Sequence, residues 1–269
     1  MSLFTWPENH EFGATISFDF DAEEVWIGEN PDNASKPGVL SQGTYGPKRA
    51  VPLILDILDR HDVTASFFVP GKDAERHSEV VRSIIAAGHE IGHHGYTHTS
   101  PTDLSQEQEE LELRKGREVL ERLGAAVAGY RSPSWEFSAH TLDLLEANGF
   151  TYSSNLLDDI VPYKHENHEV AEVPVSWLLD DAPHFWFAND EKTIRSPREV
   201  LDCWLPEIDG IAELGGHVMV TMHPMIIGRP SRLKVLESTI ERLKERGAWF
   251  GTAGEVAGLV PALKTRQSS

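Results

Sequence analysis

Short apolar runs alternate along the chain with amphipathic stretches of helical period, the pattern of a mostly parallel α/β fold. Ala14 to Phe20, Thr64 to Val69, Val127 to Tyr130, His217 to Met222 and Ala248 to Thr252 read as strands, with shorter pieces near Glu90 to Gly92 and Glu172 to Val175. Between them, apolar positions three and four apart predict helices over Lys48 to Arg60, Glu79 to Ala87, Gln106 to Leu123, Ala139 to Asn148, Arg198 to Leu214 and Arg232 to Arg246. Gly88, Gly124 and Gly149 sit where helix C-caps are expected. Two stretches follow neither period and are expected to be loops: Glu29 to Gly46, with its prolines and glycines, and the polar Val161 to Val170. No repeat or abrupt change of character divides the chain, so residues 1–269 read as one domain, with a flexible tail expected at Lys264 to Ser269.

Composition narrows the partners. Asp and Glu outnumber Lys and Arg by 43 to 24, a net charge of −19, which repels nucleic-acid phosphates and anionic lipid headgroups. No apolar run is long enough to span a bilayer, and the start, MSLFTWPENHEF, lacks the features of a secretory signal. Cys203, the only cysteine, lies in an apolar context and reads as a core residue. These features favour a cytoplasmic protein with no nucleic-acid or membrane partner, while leaving an oligomer open.

The chemistry concentrates in a few places. His89, His93, His94 and His98 fall within GHEIGHHGYTH, and His94 and His98 could share one metal ion if the backbone turns helically there. Surface helices also carry such pairs by accident, so a third ligand matters. Asp21 is the candidate: in ISFDFDAE an apolar strand ends in two acids one residue apart, and strand ends face the active-site mouth in parallel α/β folds. On a continuing strand Asp19 and Asp21 would project to one face, so that one binds metal while the other acts as base. The competing reading makes them loop or helix-cap acids in a very acidic chain.

Four motifs in order resemble those of the NodB-like polysaccharide deacetylases, carbohydrate esterase family four: FDFD at Phe18 to Asp21, HGYTH at His94 to His98, RSPSW at Arg131 to Trp135, and VMVTMH ending at His223. Together they span roughly residues 14 to 223. The intervening Phe20 and the extra residue in RSPSW resemble the branch that contains intracellular peptidoglycan-deacetylase-like and allantoinase-like proteins. The resemblance implies a distorted β/α barrel of the NodB-homology type with fewer than eight strands. It also implies one divalent metal, zinc before cobalt or manganese, held by Asp21, His94 and His98. By the same resemblance Asp19 is the general base, Arg131 pairs with it and holds it charged, and His223 protonates the leaving nitrogen. Trp135 and Trp177 are expected to wall the substrate, and Asp180 and Asp181 in VSWLLDDAPHFW are both candidates to support His223. His89, His93 and His217 match no motif role and read as structural.

The implied activity is hydrolysis of non-peptide carbon–nitrogen bonds, with an N-acetylated sugar or related small amide as substrate. A cyclic imide or ureide is the alternative, and a non-catalytic metal- or sugar-binding relative a third reading. Retention of Asp19 and His223, which mere binding does not need, argues against the third. A small ring would need a closed pocket, lidded by Glu29 to Gly46 or by Trp177 to Trp186, whereas a polymer would need an open groove.

Overall fold

The computed structural model describes residues 3–186 and 194–260, so the tail expected at Lys264 to Ser269 lies outside the described residues. Its frame is a curled sheet of nine strands, where fewer than eight were expected: β1 (Gly13–Asp19), β2 (Ser66–Val69), β3 (Glu90–His93), β4 (Gly129–Tyr130), β5 (Tyr152–Ser153), β6 (Tyr163–Lys164), β7 (Ala171–Glu172), β8 (His217–Met222) and β9 (Trp249–Phe250). The order is β6-β7-β5-β4-β3-β2-β1-β8, with β9 beside the start of β1. Every pairing is parallel except the β6–β7 hairpin. β1 and β8 are buried at every position, as central parallel strands covered on both faces must be.

Helices Val51–Arg60, Ser78–Ala86, Gln106–Arg122, Thr141–Ala147, Pro197–Leu214 and Leu233–Glu245 lie where the helical period predicts them, within a few residues at each end. Capping boxes at Ser105 and Ser196 fix the starts of the two longest. Gly88, Gly124 and Gly149 all adopt the positive φ expected of residues that follow a helix end. Cys203 is partly buried and packs against the core from the helix Pro197–Leu214.

Both expected loops carry regular structure. Residues 29–46 fold into a 3-10 turn Pro31–Ser35 and an α-helix Pro37–Tyr45, which continues through a π-type turn Gly46–Ala50 into Val51–Arg60. Pro31 and Pro37 stand at the first turns of these pieces, where a missing N–H costs nothing. A Cβ on Gly43 would lie 2.0 Å from the Ala22 carbonyl oxygen, so the glycine lets this helix close on the segment that follows β1. Within the second expected loop, Tyr163–Lys164 pairs with Ala171–Glu172 as the antiparallel edge. β5 has too short an apolar run to stand out in the sequence, and helices Glu24–Glu29, Gly71–Arg76 and Ala253–Gly258 are likewise too short to show a period.

Candidate active site

The register of the parallel sheet gathers the chemistry at one edge. Asp19 pairs with Phe68, Val69 with His93, His93 with Tyr130, and Phe18 with Met222. His94, Arg131 and His223 each come one residue after those partners, and Asp21 two after Asp19. All of them therefore meet at the carboxyl ends of adjacent strands.

His94 and His98 do meet at Asp21, but not through a helical turn. The chain leaves β3 and bends, with Gly95 at φ 73° and His98 at φ 53°. The bend is templated from the helix Gln106–Arg122: the Glu112 carboxylate accepts from the N–H groups of Tyr96 (2.9 Å) and Thr97 (2.7 Å) and from the Thr97 hydroxyl (2.9 Å). The N-terminal N–H groups of Gly71–Arg76 hold its other side, Gly71 donating to the Gly95 carbonyl and Lys72 to that of Tyr96. The bend sets His94 Nε2 3.3 Å from Asp21 Oδ1 and His98 Nε2 3.4 Å from Asp21 Oδ2.

These three side chains can hold a divalent cation. His94 donates Nδ1–H to the Arg131 carbonyl oxygen at 2.8 Å, which leaves the Nε2 lone pair facing Asp21. Asp21 is buried, and its Oδ1 has no hydrogen-bond partner among the described residues, a costly state for a carboxylate oxygen unless a cation completes the site. With protons alone to balance it, burial raises the Asp21 pKa, but the charges of His98 and His94 outweigh that and hold it well below the usual range. Burial conversely lowers His94, and the Asp19 and Asp21 carboxylates overcome it. An ion-binding carboxylate–imidazole cluster has this electrostatic character.

Asp19 stands beside the trio and is paired with the fully buried Arg131, Nη1 donating at 2.7 Å. The guanidinium is itself fixed: Nη1 also donates to Ser17 Oγ, Nη2 to Ser154 Oγ, and Nε to the Ser154 carbonyl, while Phe68 lies under it at 4.1 Å. On the opposite side, His223 Nδ1 lies 2.7 Å from Asp181, whose two oxygens also accept from the His223 N–H at 3.1 Å. Nε2 is thus turned toward Asp21, at 3.6 Å. Burial lowers the His223 pKa, but Asp181 and then Asp180 lift it well above the ordinary histidine value. The partner among the two candidate acids is Asp181; Asp180 instead accepts from the Ala182 N–H at 2.6 Å and lies 3.9 Å from His223.

Over these groups opens a cavity of about 310 Å³. Trp135 and Trp177 both line it, stacked at 4.2 Å between ring centroids, and Trp186 adds a wall that meets the edge of His223. Ser134 and Trp135 are non-glycine residues at positive φ (66° and 55°), the geometry that the extra residue of RSPSW takes up as it turns the indole inward. Trp186 ends the segment Trp177 to Trp186 that the sequence offers as a lid, whereas Glu112 and the serines under Arg131 carry no motif. His93 faces away, packed on Tyr130 and Phe150, and accepts the Gly95 N–H; His89 accepts from the Ala65 N–H, and His217 lies at the opposite end of β8 from His223.

The polysaccharide deacetylase family model matches residues 43–153, which hold both HGYTH and RSPSW. A peptidoglycan deacetylase from Helicobacter pylori is 30% identical over 272 aligned residues, covering 89% of this chain and 92% of that one. A solved Mycobacterium smegmatis structure of the polysaccharide-deacetylase type superimposes with a TM-score of 0.91 at 35% identity, covering 100% and 99% of the two chains. An allantoinase structure shares the fold, with a TM-score of 0.83 at 21% identity over 94% of this chain and 91% of that one. On this sequence likeness over nearly its full length, the chain belongs to the polysaccharide deacetylase family.

Proposed function

We propose that this protein is a divalent-metal-dependent hydrolase of carbon–nitrogen bonds other than peptide bonds, acting on an N-acetylated sugar or a related small amide. One observation carries the reading: the buried Asp21 carboxylate, its Oδ1 without a hydrogen bond among the described residues, faces two imidazoles, with a paired carboxylate on one side and a carboxylate-backed histidine on the other. A cation held by Asp21, His94 and His98, zinc or else cobalt or manganese from this donor set, would supply a Lewis acid that polarises the scissile carbonyl and makes water more acidic.

The chain's own residues do the proton work. Asp19, fixed by Arg131, accepts the proton of the attacking water as its oxygen bonds to the carbonyl carbon. His223, held through Nδ1 by Asp181, delivers its Nε2 proton to the nitrogen as the carbon–nitrogen bond breaks, so that a carboxylic acid and an amine leave. Trp135, Trp177 and Trp186 enclose the group beside the reacting carbon.

The cavity volume, at the low end for small-molecule sites, favours a substrate of one or a few rings over a long polymer. It keeps hydrolysis of a cyclic imide or ureide as the second reading. Metal-loaded protein assayed in parallel on N-acetylglucosamine oligomers and on hydantoin, succinimide and allantoin separates the two. Full activity in rigorously metal-free protein would refute both.

A further inference from the structure

Trp186 has a second face. Its ring stacks on Trp26 at 4.7 Å between centroids, and this pair also borders a separate cavity of about 300 Å³ next to the active-site pocket. The cavity is apolar along Met225 and Ile226 and cationic at Arg229 and Arg232. In a chain of net charge −19, two neighbouring arginines lining one space are conspicuous. Arg60, Arg76, Arg131 and Arg242 each bind a carboxylate, whereas neither Arg229 nor Arg232 has an ion-pair partner among the described residues.

Both are nonetheless held in place. Arg229 lies over the Tyr45 ring at 3.7 Å and donates Nε–H to the Met225 carbonyl at 3.3 Å. Arg232 lies over the Phe185 ring at 4.3 Å and donates from Nη1 to the Ile226 carbonyl at 3.1 Å. Among the described residues each makes one hydrogen bond, which leaves most of its N–H donors without a partner there. Burial, opposed by Asp181 and assisted by the like charge of Arg229, holds Arg232 below the usual arginine range. Two partly buried like charges, each fixed by a ring and a carbonyl, are an arrangement that an oxyanion relieves by bridging them.

We propose that this cavity is a second binding site, for a small molecule that carries a carboxylate or phosphate group and an apolar body. The oxyanion bridges Arg229 and Arg232, and the apolar part lies against Trp186, Met225 and Ile226. Because Trp186 also walls the active-site pocket, occupancy is reported by indole fluorescence.

The test uses the full chain, stripped of metal and then freed of chelator so that the metal centre contributes no anion affinity. It is titrated with inorganic phosphate and with butyrate at constant ionic strength, chloride making up the balance, and followed by calorimetry and tryptophan fluorescence. Saturable binding of either anion, weakened about tenfold or more in Arg232→Gln and in Arg229→Gln, is expected. Phosphate alone would point to a phosphate ester as ligand and butyrate alone to a carboxylate. If Arg232→Gln does not fold, the less constrained Arg229→Gln and Arg229→Lys decide, the lysine variant keeping charge but losing the fork and so binding between wild type and Arg229→Gln. No saturable binding of either anion, or equal affinity in wild type and the variants, would overturn the proposal.

Discussion

Replacing Arg131 by Met tests the frame on which the proposed base rests. Met keeps an unbranched apolar stem over Phe68 but removes the guanidinium, with its bonds to Asp19 (2.7 Å), Ser17 (3.0 Å) and Ser154 (2.9 and 3.2 Å). Asp19 is 2% exposed, so water cannot take the place of the lost donor without rearrangement. Breaking a buried ion pair by removing one partner costs about 3–5 kcal/mol, most of it the penalty of the charge left behind. At about 2–4 °C per kcal/mol for a chain near this size, Tm should fall by roughly 6–20 °C. Urea unfolding at pH 7 should show a lower midpoint with an unchanged slope. The diagnostic variant is the double one. Asp19→Asn removes the stranded charge, so Asp19→Asn/Arg131→Met should be more stable than Arg131→Met alone, with a coupling of about 2 kcal/mol or more. A single-variant cost below about 1 kcal/mol, or additivity in the cycle, would mean that the pair behaves like an exposed salt bridge and that its positioning role is wrong.

Four further outcomes follow. Asp19→Asn should keep its metal content by elemental analysis while turnover falls about 100-fold or more, whereas Asp21→Asn should lose both; equal metal loss in the two would mean that base and ligand are interchanged. Chelation should abolish activity and zinc, cobalt or manganese restore it, monitored by metal content alongside rate. Asp181→Asn removes the main group that lifts His223, so the high-pH limb of the kcat profile, where the proton donor is lost, should move to lower pH; an unmoved limb would exclude His223 as that donor. Burial lowers His217 to about 3, and Thr15, which donates to the Gly251 carbonyl, accepts from its Nε2–H, leaving Nδ1 without a partner among the described residues. The folded state therefore binds fewer protons than the unfolded one between about pH 6.5 and 3, so this stability is present above 6.5 and lost as pH falls; His217→Gln should flatten that slope by about 1.4 kcal/mol per pH unit in urea titrations.

The parallel frame was legible because its signal is thermodynamic. β1 and β8 are buried on both faces, so they read as uninterrupted apolar runs, and the long helices must keep one apolar stripe. The segment at 29–46 was misread because its prolines and glycines, which in isolation signal turns, are here helix-start residues and a close-contact site. Turn chemistry and helix-start chemistry use the same residues, and only the neighbouring Ala22 carbonyl reveals which one operates at Gly43. The two-residue strands β5 and β6 escaped for another reason: their pairing is specified by the strands beside them rather than by their own composition.

The site divides along a similar line. Asp19, Asp21, His94, Arg131 and His223 stand at or just beyond the ends of long-range pairings, yet each is anchored to a local strand end, which is why short motifs could mark them. The supports are non-local in both senses. Glu112 shapes the His94–His98 bend from the middle of a helix in which Glu107, Glu110, Glu118 and Glu121 face water while Glu109 is buried against Ser138 and Thr141, and nothing in its immediate sequence distinguishes it from Glu110 or Glu118. Asp181 could not be told from Asp180 because the choice depends on the single bridge between Asp180 and Thr221, which aligns the Asp181 side chain with the His223 N–H two residues further on. The helical turn expected between His94 and His98 failed in the same way, since the separation of four residues does bring both imidazoles to Asp21 but the backbone that realises it is a bend built by Glu112 and the end of Gly71–Arg76. Local sequence can thus mark candidate groups for the chemistry when they lie at strand ends. The groups that fix the tautomer, charge and direction of those atoms are chosen by the fold, and they become visible only once the strands are in register.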